Sequence, residues 1–190
     1  MLETVLKAKG YSFTKKTVVK AIIAALTVAL AVGLPQICHI VIGGNSGIKF
    51  LPMYLPVLLG ACILGSGWGL AVGVLSPVVS YVITTAAGSP MPALARLPFM
   101  VFELAVFAVV AGAFSKLIMK NALFAFVAVI SAEIVGRAAF LAAVAIFESV
   151  TPLSVSLVWS QILTGWAGLA LNAVIVPIVV ILVRAAVSND

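Results

Sequence analysis

Two carboxylates, a guanidinium and an amide stand where the chain is otherwise apolar: Glu103, Glu133, Arg137 and Asn172. Each ionised side chain inside an apolar span costs on the order of 2.5–3.5 kcal/mol on insertion scales, so it needs a partner or water. Glu133 precedes Arg137 by one helical turn, on the same face. Two roles fit these residues. They form a buried ion pair that fixes packing, or a polar pocket in which Arg137 receives an anionic or carbonyl group and Glu103 a donor. The pocket is the preferred reading, because intramembrane ionisable residues usually face a cavity. Tyr54, Tyr81, Ser80, Thr84, Trp159 and Trp166 are candidate walls. Tyr54 and Tyr81 lie beside proline or glycine breaks that open backbone toward a cavity, whereas the other aromatics also suit an interfacial belt.

The solvent around these residues follows from composition. Of 190 residues, 64% are hydrophobic and 8% charged, and the mean hydropathy is +1.33. A soluble domain carries about 25% charged residues, so this chain is an integral membrane protein. A soluble enzyme, a secreted disulfide scaffold, a disordered chain and a nucleic-acid binder are excluded together. The net charge of +6 is a topological signal, because its Lys and Arg residues fall between long apolar runs.

A bilayer core of about 30 Å needs roughly 20 apolar residues per helix. Turn-formers and charges divide the chain into runs of about 18–37, 50–64, 68–85, 94–115, 122–147 and 163–187. The predicted architecture is all-α: one membrane domain over 1–190, with an N-terminal segment 1–17 and a six-helix bundle over 18–187. Thr151 to Ile162 reads as a loop or interfacial segment. Six spans put both termini on one side, with Lys7, Lys9, Lys15, Lys16, Lys20, Lys116, Lys120 and Arg184 against Lys49 and Arg96. The positive-inside rule makes that side cytoplasmic. The basic start, apolar stretch and Ala29-Leu30-Ala31 also have the pattern of a secretory signal peptide; the segment is read as the first span. Glu103, Arg137 and Asn172 then share a depth of roughly 14 Å below the outer ends of the fourth, fifth and sixth helices. Cys38 and Cys62 fall near opposite faces, too far apart for a disulfide.

Other motifs are weaker. His39 stands alone in the first outer loop without ligand-spaced neighbours, so no metal is expected. Asn45-Ser46-Gly47 lacks the Ser or Thr of a glycosylation acceptor. Ala21, Ala25 and Ala29 repeat every four residues in the cytoplasmic half of the first helix, and small-xxx-small stripes let another helix approach closely, here a partner or a neighbour within the bundle. No hydrolase motif occurs, so no enzyme and no cofactor are expected. No Walker sequence occurs either, so any ATP is hydrolysed by another subunit. A channel or a non-catalytic scaffold subunit of another membrane complex is the alternative function.

The stretches FLPMYLPVLLGACILGSGWGLAVGVLSPVVS, LPFMVFELAVFAVVAGAFSKL, EIVGRAAF and GLALNAVIVPIVV, taken in order, resemble the substrate-binding S component of energy-coupling factor (ECF) transporters, the bacterial vitamin importers. The resemblance implies a plasma-membrane protein of a prokaryote with an outward-facing site closed by the first outer loop. It also implies docking of the alanine stripe on a transmembrane coupling subunit driven by two ATPases, with import by toppling of the S component. Glu103 matches the family's F-E motif, Arg137 its G-R motif, and Asn172 the amide before the sixth-helix proline, Pro177. Members often have histidine where Tyr54 stands, so the closing-loop ligands depart from the pattern. An Arg at the pocket base suits a carboxylate or phosphate, which leans the substrate toward pantothenate among small water-soluble vitamins.

Overall fold

Alanine, leucine, valine and isoleucine runs without charge leave the backbone no partner in a bilayer except itself, which selects helix. The computed structural model describes residues 1–43 and 49–188; Asn45-Ser46-Gly47 and most of the connection after the first long helix lie outside the described residues. Among the described residues every regular element is helical: α1 Leu2–Ala8, α2 Phe13–Ile42, α3 Tyr54–Leu64, α4 Ser66–Ala86, α5 Leu97–Ala113, α6 Ser115–Lys120, α7 Phe124–Phe147 and α8 Val155–Ser188, with a 3-10 turn at Glu148–Val150. Five stretches are long and apolar enough to cross a membrane, with α5 and α6 counting as one, and α3 is a shorter apolar helix.

The second run is the departure from six full-length spans. At 1.5 Å per residue, the 11 residues of α3 cover about 16 Å, half a bilayer core. Pro52 disfavours helix at Leu51, which takes a left-handed φ of 49°, and the Tyr54 N–H closes the turn onto the Leu51 carbonyl at 3.0 Å. Pro56 falls in the first turn of α3, where its missing N–H costs nothing. Irregular backbone at membrane depth survives only when protein covers it, and residues 51–54 are all buried.

Three boundaries differ from the sequence reading. The last helix starts at Val155, not near Leu163, because 155–162 contains no Pro or Gly and the Ser154 hydroxyl accepts the Leu157 N–H at 3.2 Å as a helix cap. His39 belongs to the last turn of α2 rather than to a loop. The fourth run divides at Phe114 into α5 and α6.

The two ends of the bundle are chemically distinct. At one, Lys20 pairs with Glu3 at 3.0 Å and holds its carboxyl below the usual carboxylate range; Arg184 donates to the Met119 carbonyl at 3.3 Å. Gly65 and Ser66 meet Ser115 and Gly112 at this end. Pro35, Tyr54, Ser80, Arg96 and Gln161 gather toward the other. Between the ends, α4 and α5 touch closely: a Cβ on Gly73 would fall 2.6 Å from the Leu104 carbonyl oxygen, a small-residue contact that fixes the height of Glu103. Cys38 and Cys62 are both free thiols.

Candidate substrate-binding site

Glu103 and Phe107 occupy one face of α5, one turn apart, and both are buried. Gly136 on α7 leaves room for the Phe107 ring, since a Cβ there would lie 2.9 Å from Cδ2. Phe107 in turn meets the Tyr54 ring edge-on, with centroids 5.3 Å apart and planes at 84°, a preferred aromatic geometry. The next residue on α7 is Arg137, so the packing that seats Phe107 also sets the guanidinium.

The polar groups close onto one another. Tyr54 donates its hydroxyl to Glu103 Oε2 at 2.6 Å, Arg137 Nη1 lies 2.7 Å from Glu103 Oε1, and the guanidinium carbon stands 5.1 Å from the Tyr54 ring centroid. Glu103 Oε2 thus accepts a short, charge-assisted hydrogen bond, Oε1 has a close ion-pair contact without hydrogen-bond geometry, and the cation also faces an aromatic surface. Arg137 Nε and Nη2 have no hydrogen-bond partner. Three N–H bonds on these two nitrogens therefore remain for an acceptor brought from outside.

Above this triad lies a cavity of about 290 Å³, near the lower end of the usual range for small-molecule sites. Its polar wall is Tyr54, Ser80, Arg96, Glu103, Arg137 and Gln161; proline, methionine, leucine, alanine and Phe140 supply the apolar remainder. Part of the wall is tied in place. Ser80 donates to the Met91 carbonyl at 2.9 Å, and Thr84 Oγ1 accepts the Met91 N–H at 2.8 Å. The Pro90–Pro92 segment is thereby fastened to α4.

The expected residues distribute unevenly. Tyr54, Glu103 and Arg137 meet in the cavity base. Tyr81, half-buried, is not among the lining residues, whereas its neighbour Ser80 is. Asn172 is buried, with neither amide atom hydrogen-bonded, and also does not line the cavity. Its depth differs from the sequence estimate because α8 starts earlier. Gln161 is level with its partner Arg96, so Asn172, eleven residues farther, sits about 16 Å below that level, and Glu103, seven residues beyond Arg96, about 10 Å. Glu133 is buried one turn from Arg137 with Oε1 unpartnered. Trp159 and Trp166 are exposed on the outside of the bundle.

Arg96 and Gln161 are the residues that the sequence reading missed, since it counted Arg96 only as an outer charge. One signal was available: Arg96 is the N-cap of α5, where the helix macrodipole opposes a cation. Ala21, Ala25 and Ala29 are all exposed on α2, while Ala24, Thr27 and Ala31 face the core.

No curated protein and no solved structure matches the chain. The family model of the ECF transporter substrate-specific component matches residues 15–180, and the chain, a multi-pass membrane protein with a substrate-specific role in transport, belongs to that family.

Proposed function

We propose that this chain is the vitamin-capturing subunit of an ECF-type ATP-driven importer in the plasma membrane of a prokaryote. Six spans, counting the residue 50–64 segment as one, put both termini in the cytoplasm and the cavity toward the outside. The observation that carries the reading is the cavity itself: at the end of the bundle away from Lys20 and Arg184, it is floored by Tyr54, Glu103 and Arg137. A small water-soluble vitamin or related micronutrient, with pantothenate the first candidate, enters there without any chemical step. Asn172 and Tyr81 act from just outside the lining, Asn172 below the base and Tyr81 behind Ser80.

Delivery requires partners. The exposed Ala21, Ala25 and Ala29 stripe docks on a transmembrane coupling subunit, two ATPase subunits supply the energy, and the bundle topples in the bilayer to release its cargo inside. Isothermal calorimetry of the purified protein against a vitamin panel tests the reading: saturable binding of one member without ATP supports it, and a monodisperse protein that binds none contradicts it.

A further inference from the structure

The Arg and Glu side chains lining the cavity are Arg96, Glu103 and Arg137, and they are not equivalent. Arg137 is matched by Glu103 at 2.7 Å, so at the base charge cancels and donors remain. Arg96 has no such match. Among the described residues no carboxylate pairs with it; its Nη2 donates instead to the neutral Oε1 of Gln161. Gln161 holds the guanidinium at the rim without neutralising it. The amino end of α5, which begins at Leu97, adds positive potential at the same place. Arg96 is only partly exposed and lines the same cavity as Tyr54 and Glu103. With the base pair ionised, the cavity carries one uncompensated positive charge, in a low-dielectric site where such an excess favours an anion.

We infer that the ligand is a small monoanion whose carboxylate or comparable acid group is received at the cavity rim by Arg96, while Arg137 Nε and Nη2 at the base donate to a neutral acceptor such as a carbonyl oxygen. This rests on the binding function proposed above and moves the anion site from the base to the rim. Pro35, Met53, Pro92, Met100 and Phe140, which also line the cavity, suit a short apolar body. Arg96 is therefore a specificity residue, and Gln161 positions it.

The test uses acid and neutral partners of one skeleton: nicotinate with nicotinamide, biotin with biotinamide, pantothenate with panthenol. Full-length protein in nanodiscs is titrated with each, and small molecules co-purifying with it are identified by mass spectrometry. The wild type is expected to bind an acid at least about tenfold more tightly than its neutral partner, or to retain an anionic compound. In Arg96→Gln that ratio falls toward one and the retained compound is lost, while Arg96→Lys, which keeps the charge, preserves most of the preference and serves if the first variant folds poorly. A wild type that prefers the neutral member or retains a cation overturns the inference, as does Arg96→Gln with an undiminished acid preference; in each case binding itself stands. A wild type that binds and retains nothing overturns the binding function, and the inference with it.

Discussion

The hydroxyl of Tyr54 and the carboxylate of Glu103, on helices whose sequence positions are 49 residues apart, stand 2.6 Å from each other in a buried site. Glu103 is thus held between a phenol and a guanidinium, and its removal or theirs is felt at all three positions.

Tyr54→Phe keeps the ring that packs on Phe107 and deletes only the donor to Glu103. A hydrogen bond to a charged group contributes about 1.5–3 kcal/mol, so stability is expected to fall by about that amount. Thermal unfolding of the detergent-solubilised variant beside Glu103→Gln and the double variant measures the coupling; additive losses would mean that the two side chains do not interact.

Arg137→Ala leaves a carboxylate buried without its cation, a change that costs about 3–5 kcal/mol. Ligand binding is expected to weaken as well. The variant Glu103→Gln/Arg137→Met, which removes both charges, should recover much of the stability but not the affinity. Equal unfolding temperatures for Arg137→Ala and the wild type would show that the pair does not carry the fold.

Thr84→Val is nearly isosteric and removes the acceptor for the Met91 N–H. The Pro90–Pro92 wall should loosen, raising the dissociation constant severalfold and increasing amide exchange at Met91, with the helical content unchanged. Hydrogen exchange at Met91 identical to that of the wild type would remove the hydroxyl from this role.

Ala25→Trp places a large ring on an exposed face of α2, more than two helical turns from Pro35 in the cavity wall. Substrate affinity should stay intact while uptake by cells making all the subunits is abolished, because close helix approach depends on small side chains. Normal uptake would mean that the stripe is not a docking surface; lost binding would mean that it packs internally.

Much of the fold was legible because bilayer thickness fixes how many apolar residues a helix needs, and Gly65, Gly88, Pro90 and Pro92 mark where helices cannot continue. Glu103 and Arg137 were legible for a related reason: a charge in an apolar run has few inexpensive explanations. The early start of α8 was not, since Val155 to Ile162 is amphiphilic enough for an interface and helical enough for a span. Arg96 escaped because its place in the cavity wall goes with its hydrogen bond to Gln161, which is 65 residues away in sequence. Tyr81 was favoured over Ser80 for lying beside a helix break, but which of two adjacent helical residues faces inward is set by the rotation of α4 against α5, and that rotation follows from the Gly73 contact with Leu104.

Pro35 lies within α2 and lines the cavity, and the exposed alanines occupy the same helix nearer its start. A single rigid element therefore reports on both surfaces, and free-energy linkage requires reciprocity. Any partner that shifts α2 by gripping its alanines changes the affinity at Pro35 by some factor, and a bound ligand changes the partner's affinity by that same factor. An empty and a filled subunit then compete unequally for a coupling subunit, with the bias set by how stiffly about 15 Å of helix between Ala25 and Pro35 transmits displacement.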